Sequence, residues 1–458
     1  MSENQNELMD NTLLKKYNIA APRYTSYPTV PYWQEEKPTE SDWLTAVKRA
    51  FGKNNEISLY IHLPYCESLC TYCGCNKRIT KNHKVELPYI EAILKEWDLY
   101  LQALPSKPRI KELHLGGGTP TFFSPKNLDY LIQGILNKTD LAPSHEYSIE
   151  AHPFSTTSEH LKVLKANGFN RLSLGVQDFD EQILKAINRR QTYQQIEKIV
   201  LEARYLGFDS LNFDLIYGLP FQTKENVKAN MDRVAFLRPE RIALYSYAHV
   251  PWMYPGQRAY AEEDLPKGKA KRALYSLGKR LLLELGYEEI GFDHFALPSD
   301  SLYVAHKSKI LHRNFMGYTP FNTKLNLALG TSAISDSWTG YVQNEKKIET
   351  YTKRVMAGEL PFFRGHILNQ NDQVIRHHIL NLICQFKTDW MDSEWTCDAL
   401  YAAFDRIDAL EEDGLVIRTP FQLEVTAKGK PFIRNICLAL DEHYWAQKPE
   451  KSLFSQVA

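Results

Sequence analysis

Four cysteines lie within ten positions of one another near the start of the chain, and they are the residues best placed to do chemistry. They are Cys66, Cys70, Cys73 and Cys75, spaced as C-x3-C-x2-C-x-C. They follow directly on an apolar, β-prone run at residues 57–63, so we expect them on a loop that leaves a strand. Thiolates at this density favour a soft metal, which means zinc, Cu(I) or an iron–sulfur cluster.

Three interpretations of this cysteine loop compete. A disulfide pair is disfavoured, because the N-terminal residues do not resemble a secretory signal and closely spaced loop cysteines usually bind something. Structural zinc favours C-x2-C knuckles with a second Cys or His pair about 12–20 residues further on, and no such pair follows here. An iron–sulfur cluster would take all four thiols, or only three, which would leave one iron open to a ligand.

The middle of the chain alternates β-like runs with helical patterns. Nearly continuous apolar strands in such an alternation predict a parallel sheet covered by helices, an α/β fold. Six units rather than eight predict a partial, TIM-like (β/α)6 barrel, open on one side to a large flat substrate. The predicted strands are 57–63, 112–115, 147–151, 171–176, 210–217 and 241–247. The predicted helices are 86–104, 125–138, 157–167, 181–206, 223–237 and 267–285.

Polar and glycine residues follow or end these strands in turn. Chemistry in parallel α/β folds gathers at the carboxyl ends of strands, so this placement predicts one composite site. In strand order the residues are the cysteines, the glycine run 116–118 with Thr119, Glu150 with His152, Gln177 with Asp178, Asp214, and Ala248 with His249.

The segments around the barrel have patterns of their own. Residues 22–32 are rich in proline and tyrosine, which predicts an extended arm, with Arg23 as a contact for an anion. A short helix is expected at 41–50, and residues 291–364 are expected to complete the sheet and wall the site. Arg313 is a second candidate for a substrate carboxylate, since arginine binds carboxylates in bidentate fashion.

The C-terminal part predicts a mainly helical, winged-helix-like domain. Helices are expected at 374–386 and 394–411, followed by a hairpin and a final helix. Residues 405–434 hold six acidic and five basic side chains, so they lack the basic stripe of a DNA-binding domain. A structural or substrate-covering role is the better interpretation. The predicted domains are 1–50, 51–290, 291–364 and 365–458.

The composition argues against a nucleic-acid-binding protein and against a membrane protein. Lys+Arg and Asp+Glu each number 55, so there is no net attraction to nucleic acid or anionic lipid. No apolar run approaches the roughly twenty residues of a membrane helix. The remaining cysteines, Cys384, Cys397 and Cys437, stand among apolar neighbours and are expected to be inert thiols. We expect a cytoplasmic monomer with no membrane or nucleic-acid partner.

Longer motifs carry a resemblance to a known family. C-x3-C-x2-C resembles the cluster motif of radical S-adenosylmethionine (radical SAM) enzymes, and the full set, spread along nearly the whole chain, resembles the oxygen-independent coproporphyrinogen III oxidases. The matching motifs are PRYTSYPT (22–29), CxxxCxxCGCN (66–76), LHLGGGTPT (113–121), RLSLGVQDF (171–179), DLIYGLP (214–220), YAHVP (247–251), HRNFMGY (312–318) and RNIC (434–437).

The resemblance implies a cofactor and a reaction. Cys66, Cys70 and Cys73 would hold a [4Fe-4S] cluster, and Cys75 would be retained without ligating it. The open iron would chelate S-adenosylmethionine, whose reduction releases a 5′-deoxyadenosyl radical. That radical would take a β-hydrogen from a propionate of coproporphyrinogen III, which then loses CO2 and an electron to become a vinyl group. Two such reactions give protoporphyrinogen IX in haem biosynthesis, without oxygen.

Residue by residue, the resemblance also implies contacts to two molecules of S-adenosylmethionine. Those to the first are Tyr60, Gly117, Glu150 and Ile334. Those to the second are Tyr72, Gly118, Thr119, Gln177, Arg189, Asp214 and Ala248. The family often has Asp where this chain has His152, which affects the hydrogen bonding expected around Glu150.

From the residues alone, a buried carboxylate such as Glu150 must be paired, so a ligand contact and a structural salt bridge both stay open. Taken by itself, Arg189 is typical of a solvated helix charge. His62 is a candidate to touch the cluster region, whereas His114 is expected to have a packing role.

Related binding and methyltransferase proteins offer alternatives. Radical SAM haem chaperones transfer haem without oxidising coproporphyrinogen, and anaerobic haem-degrading methyltransferases share the core. The arm at 22–29 and, for the chaperones, Cys75 favour the oxidase, because those relatives typically lack the arm and the chaperones carry an aromatic residue in place of that cysteine. An oxidase of this type also requires an electron donor such as flavodoxin or ferredoxin.

Overall fold

The computed structural model describes residues 11–33, 38–52 and 54–447. In chain order its strands are β1 (Glu56–Leu63), β2 (Tyr65–Cys66), β3 (Arg78–Ile79), β4 (Arg109–Gly117), β5 (Asp140–Ala151), β6 (Arg171–Gln177), β7 (Ser210–Tyr217), β8 (Arg241–Ser246), β9 (Glu288–Ile290), β10 (His294–Ala296), β11 (His312–Asn314), β12 (Gly317–Thr319), β13 (Asn326–Leu329), β14 (Ile334–Asp336), β15 (Gly340–Asn344), β16 (Phe362–Ile367), β17 (Lys387–Asp389), β18 (Val416–Thr419) and β19 (Gln422–Val425).

The α-helices are α1 (Asn11–Tyr17), α2 (Glu40–Phe51), α3 (Glu86–Ala103), α4 (Pro125–Leu136), α5 (Ser158–Ala166), α6 (Glu181–Ala186), α7 (Tyr193–Tyr205), α8 (Lys224–Leu237), α9 (Gly268–Glu284), α10 (Ser301–Lys307), α11 (Ile348–Met356), α12 (Gln370–Gln385), α13 (Asp398–Ala402), α14 (Phe404–Glu412), α15 (Ile433–Leu440) and α16 (Glu442–Ala446). Short 3-10 helices cover Val30–Tyr32, His83–Val85, Pro120–Phe122, Pro255–Ala259, Glu262–Asp264, Ser393–Trp395 and Lys430–Phe432. Among the helices of these described ranges, none combines the length and the apolar character that crossing a bilayer requires.

A twelve-stranded sheet runs through the molecule in the order β16-β15-β14-β13-β1-β4-β5-β6-β7-β8-β10-β9. Strands β1 and β4 to β8 are parallel and neighbour one another in chain order. Their side chains are buried almost without interruption, as the alternation of strands and helices predicted for a covered parallel sheet. The predicted α/β core is therefore confirmed.

The segment 291–364 extends this sheet at both edges. β13 pairs in parallel with β1, placing Asn326 opposite Ser58, and β14 to β16 continue antiparallel beyond it. At the other edge, β10 pairs antiparallel with β8 and with β9. Apolar side chains from both sides of residue 290, such as Leu327 and Leu59, share one core. The domain boundary at 290 stays a prediction.

The single helix predicted at 181–206 is wrong, because the chain breaks into α6 and α7. Asn188 adopts a left-handed φ of 56°, which an α-helix cannot contain. Thr192 and Gln195 then form a capping box that starts α7. The helix predicted at 394–411 is divided in the same way, into the turn Ser393–Trp395 and helices α13 and α14. The first break has a functional consequence, because Arg189 lies in it.

The N-terminal arm packs on the C-terminal domain. Its Leu13, Tyr24 and Tyr27 belong to the same apolar core as α12, α15 and the three-stranded sheet β17-β19-β18. Tyr24 donates a hydrogen bond to Asp441 at 2.9 Å, and the Arg434 Nε donates to the Pro22 carbonyl at 3.1 Å. The arm is thus held across the end of the barrel by the domain most distant in sequence.

A buried ion network ties β5, β6 and β8 together. The Arg241 side chain is only 2% exposed and contacts Glu146 at 2.7 Å and Asp300 at 2.6 Å. Arg171 contacts the same Glu146 at 2.8 Å. Burial alone raises the pKa of the Glu146 carboxyl, but the two guanidinium groups outweigh it and hold the pKa at about 2. Glu146 is consequently charged at neutral pH.

We expect Arg241→Ala to lower the free energy of unfolding by roughly 3–5 kcal/mol, since it leaves the buried Asp300 without its cation and Glu146 with Arg171 alone. Anaerobic urea denaturation of the purified protein measures this loss. The matched control is Arg280→Ala, which removes the exposed ion pair with Glu284 and should cost at most about 0.5 kcal/mol. Equal midpoints for the two variants would contradict the assignment.

Candidate active site: a thiol-lined cavity

The cysteine loop leaves the end of β1 and is closed by a short parallel pairing of β2 with β3. Within it the Cys73 N–H bonds to the Cys70 carbonyl at 3.2 Å, and the Thr71 N–H bonds to the Ile187 carbonyl at 3.1 Å. These bonds fold the loop back so that Cys66, Cys70 and Cys73 all line one cavity. All seven cysteines are free in the described structure.

The cavity has a volume of about 610 Å³ and lies at the carboxyl ends of the parallel strands. It brings together eleven of the fourteen residues that the family resemblance assigned to the cluster or to S-adenosylmethionine. They are Cys66, Cys70, Tyr72, Cys73, Gly117, Gly118, Thr119, Glu150, Gln177, Arg189 and Asp214. The predicted residues at five of the six strand ends therefore share a single space, whereas Ala248 and His249 after the sixth strand lie outside its described lining.

Each of the three thiols has a neighbour that favours its thiolate. Thr119 Oγ1 lies 3.3 Å from Cys66 Sγ, and Arg189 Nη1 lies 3.8 Å from Cys70 Sγ. Burial nevertheless raises the pKa of Cys66 to about 11 and raises that of Cys70. The pKa of Cys73 is lowered, first by its hydrogen bond with Cys75 and also by Lys77. Thiolates are what soft metals bind, so three convergent thiols with donors around them fit an iron–sulfur cluster.

The glycine run after β4 allows this strand to pass close to the cysteine loop. A Cβ on Gly118 would lie 2.6 Å from the Pro64 backbone and 3.1 Å from Cys66 Sγ. Gly117 has a φ of +118°, which L side chains rarely adopt, and its N–H donates to Glu150 Oε2 at 3.1 Å. The run therefore fixes both the spacing to the thiols and the orientation of Glu150.

His114 is a site residue that the sequence analysis missed. It lines the cavity, lies 3.5 Å from Glu150 through Nε2, and hydrogen-bonds to Ser148 at 2.7 Å through Nδ1. Burial acts to raise the pKa of Glu150, but the hydrogen bonds from His114 and Gly117 outweigh it and lower the pKa. The sequence signal that could have identified His114 is the alternation of side chains along β4, which places His114 on the same face of the strand as Gly116.

His152 bonds within its own loop, where its Nδ1 accepts the Phe154 N–H at 3.1 Å. Burial and the nearby Arg189 lower its pKa to about 3, so it is neutral at physiological pH. In the described structure Glu150 is held by His114 and Gly117, and the hydrogen bonds of His152 lie within its own loop.

Arg189 projects from the break between α6 and α7 into the cavity, where it is 7% exposed. It donates to Tyr72 Oη at 3.1 Å, to Gln191 Oε1 at 2.9 Å and to the Gly175 carbonyl. Because Arg189 is buried and makes these hydrogen bonds, its interpretation as a solvated helix charge is wrong. Gln177 lies opposite at the end of β6 with a left-handed φ of 67°.

Asp214 faces the cavity from β7. Its carboxylate accepts hydrogen bonds from Ser173 at 3.1 Å and from Asn212 at 3.0 Å, two residues that the sequence analysis did not single out. Burial and the charge of Glu150 raise the pKa of Asp214 to about 6. The group therefore changes charge close to neutral pH.

Three predicted contacts lie outside the cavity lining. Tyr60 lies beneath the glycine run and contacts His62 at 3.1 Å, and a Cβ on Gly116 would meet its ring at 2.9 Å. The Ala248 carbonyl accepts from Gln257 at 3.1 Å. Ile334 packs near Trp33 and Tyr341. Their roles toward S-adenosylmethionine stay predictions.

The arm comes close to one wall of the cavity, although Arg23 itself lines a separate, neighbouring pocket with Asp293 and Arg434. Arg23 donates to the Ser246 carbonyl at 3.3 Å and lies 5.9 Å from the ring of Tyr245, which lines the cavity. Arg313 is different, because it is buried against the rings of Tyr318 and Phe292 at 4.5 and 4.8 Å. Neither arginine lines the cavity, and of the two Arg23 is the less buried.

A partial parallel barrel with three convergent thiols at its carboxyl end defines the radical SAM class of enzyme. The family model of the radical SAM superfamily matches residues 60–234. The oxygen-independent coproporphyrinogen III oxidase of Escherichia coli strain K12 is 38% identical over 453 residues, which cover 98% of each chain. The Pseudomonas aeruginosa protein of the same name is 36% identical over 441 residues, covering 95% of this chain and 96% of that one.

A solved structure supports the same family assignment. Coproporphyrinogen III oxidase from Escherichia coli, described as a radical SAM enzyme, superposes with a TM-score of 0.88 at 36% identity and covers 95% of this chain and 99% of that one. The chain belongs to the oxygen-independent coproporphyrinogen III oxidase family. It is an oxidoreductase of the radical SAM type, whose cofactors are a [4Fe-4S] cluster and S-adenosylmethionine.

We expect Cys66→Ser, Cys70→Ser and Cys73→Ser each to abolish stable iron binding, because each removes one of three convergent thiols. Cys75→Ser should keep about one [4Fe-4S] cluster per chain and serves as the matched control. Iron and sulfide analysis of anaerobically purified protein provides the measurement. Loss of iron from the Cys75 variant to the same extent would show a fourth ligand.

Binding of S-adenosylmethionine should strengthen as pH rises through about 6, because Asp214 then becomes a carboxylate facing a cationic ligand. We expect an affinity gain of about tenfold between pH 5 and pH 7, measured by anaerobic equilibrium dialysis. Asp214→Asn should bind weakly with no such rise. An unchanged pH profile in that variant would remove Asp214 from the binding site.

Proposed function

We propose that the enzyme converts two propionate side chains of coproporphyrinogen III to vinyl groups, giving protoporphyrinogen IX in haem biosynthesis without oxygen. The observation that carries the proposal is the cavity that combines three thiols, the glycine run and Glu150. Relatives that match nearly the whole chain are named for this reaction.

Cys66, Cys70 and Cys73 would hold the cluster. The contacts proposed for a first S-adenosylmethionine are Tyr60, Gly117, Glu150 and Ile334, and those for a second are Tyr72, Gly118, Thr119, Gln177, Arg189, Asp214 and Ala248. When bound, these cofactors supply the radical that takes a hydrogen atom from the substrate. Support comes from the eleven of these fourteen residues that share one cavity.

The protein's own side chains would bind and orient the cofactor and the substrate. Glu150, kept ionised by His114 and Gly117, is suited to hold a cationic amine or to accept from a ribose hydroxyl. Tyr245, Tyr318 and Met316 form an apolar and aromatic wall, which suits the faces of a tetrapyrrole. Arg23, which lies 5.9 Å from the ring of Tyr245, would bind a propionate carboxylate that extends past this wall. Each propionate that reacts loses a hydrogen atom, CO2 and one electron.

The arm argues against the haem-chaperone alternative. It is present, packs on the C-terminal domain and bonds to the Ser246 carbonyl, and chaperones typically lack it. Cys75 also stands beside Cys73 where the chaperones carry an aromatic residue. The relatives reported above carry the oxidase name.

The same proposal includes the setting in which the enzyme works. The cluster would be reduced by an electron donor such as flavodoxin or ferredoxin, and the enzyme would act as a monomer without nucleic acid or membrane. Seven free cysteines are consistent with a reducing, cytoplasmic location.

The test is anaerobic incubation of reconstituted protein with S-adenosylmethionine, dithionite and coproporphyrinogen III. We expect protoporphyrinogen IX and two molecules of CO2 per substrate, and no product from Cys70→Ser, which lacks the cluster. Glu150→Gln should bind substrate but form product at least about 100-fold more slowly, because the cofactor is no longer oriented. Tight haem binding without vinyl formation would favour the chaperone.

A further inference from the structure

We propose that a small oxyanion of the phosphate class binds in a pocket between the N-terminal arm, the barrel and the C-terminal domain. This anion pocket is separate from the thiol-lined cavity, and none of the described residues lines both. Its lining includes basic side chains from all three parts of the chain. They are Arg23 on the arm, Arg272 and Lys279 on α9, Lys430 just before α15, and Arg434 in α15.

The anion pocket lies on the face of the sheet opposite to the cavity. On β8, Leu244 and Ser246 line the pocket, whereas Tyr245 lines the cavity. On β7, Tyr217 lines the pocket and Ile216 lines the cavity. Because successive side chains of a strand point to opposite faces, the sheet itself separates the two spaces. A ligand of this pocket therefore occupies a site distinct from the one that holds the thiols.

The charge of the pocket lining is unbalanced. Five basic side chains meet two acidic ones, and each of the two acids is already engaged. Glu289 binds Lys279 at 2.7 Å and accepts a hydrogen bond from Tyr275 at 3.0 Å. Asp293 contacts His294 at 2.6 Å. The remaining arginine and lysine side chains give the pocket a positive potential, which favours an anion with several acceptor oxygens.

Arg434 is the most deeply buried of these cations, with 8% of its surface exposed. It donates hydrogen bonds to the carbonyls of Pro22 and Ala21, which are neutral acceptors. Burial lowers the pKa of Arg434 to about 10, and the charge of Arg23 adds to this effect. Burial followed by the same two arginines lowers the pKa of Lys271 to about 8. An anion that enters between these cations would offset both their burial and their mutual repulsion.

The size of the pocket matches a small ion. Its volume is about 60 Å³, against about 610 Å³ for the cavity. Since one water molecule needs about 10–15 Å³ of such space, the pocket has room for about four or five atoms, as many as a phosphate ion has.

Two sources offer an oxyanion of this size, namely free phosphate and a propionate carboxylate of the proposed substrate. The position behind the sheet favours free phosphate, because the cavity proposed for the substrate lies on the other face. The inference rests on the proposed function only for the second source. From either source, the bound anion would join Arg23 of the arm to Arg272 of the barrel and Arg434 of the C-terminal domain.

The experiment measures phosphate binding to the anaerobically reconstituted enzyme by equilibrium dialysis with radiolabelled orthophosphate, without substrate or reductant. The test variant is Arg272→Gln/Lys430→Gln, which removes two cations of the pocket that are not buried. The matched control is Arg280→Gln/Lys428→Gln, which removes two exposed charges from α9 and from the segment before α15, outside the pocket lining.

We expect the wild type and the control to bind about one phosphate per chain, and phosphate to raise their thermal midpoints. The test variant should bind at least about tenfold more weakly and show no such rise, because it lacks two charge-assisted donors. Arg272→Lys/Lys430→Arg keeps both charges and should bind within about threefold of the wild type. Equal binding by test and control, or wild-type binding that does not saturate, would overturn the proposal. So would equal losses in the charge-keeping and the test variants.

Addition of coproporphyrinogen III distinguishes the two sources. Phosphate that stays bound at saturating coproporphyrinogen III identifies a free anion as the occupant, whereas release of one phosphate per porphyrinogen bound identifies a substrate carboxylate. Vinyl formation with dithionite reports on the proposed function separately, so a failure of one proposal is distinguishable from a failure of the other.

Discussion

The structure depends on holding three thiols in a buried cavity where burial opposes their ionisation. Burial raises the pKa of Cys66 to about 11, so a metal-binding site here needs donors nearby. Those donors come from three separate segments, namely Thr119 after β4, Arg189 between α6 and α7, and Lys77 in the loop itself. The site is therefore complete only when the barrel is complete, which couples cofactor binding to folding.

The register of the parallel sheet supplies the rest of the alignment. Glu150 on β5 lies beside Ser173 on β6, and Ser173 lies beside Asn212 on β7. Because side chains alternate along each strand, these neighbours point to the same face and form a connected polar surface. That surface ends at Asp214, whose carboxylate Ser173 and Asn212 both hold. A shift of one residue in any strand would turn its polar groups into the helical layer.

The arm and the C-terminal domain form one unit across the open end of the barrel. Their shared core contains Tyr24, Ile379 and Leu423, which come from segments hundreds of residues apart. Arg434 and Asp441 fix the arm through hydrogen bonds, and Arg23 bonds to the Ser246 carbonyl at the end of β8. This explains a proline-rich segment that has little structure of its own, since its position is set by a distant partner.

The sequence by itself determined what is local or repeated. The six parallel strands, the four close cysteines, the glycine run and the carboxylates after the strands follow from apolar runs and spacing, and the structure shows them where those patterns placed them. Tertiary structure decided what depends on contacts distant in the chain. It placed β13 beside β1, a pairing of four residues that no pattern in the sequence predicts. It also turned Arg189 inward, because a left-handed Asn188 ends α6 and the cavity then supplies Tyr72 and Gly175 as partners.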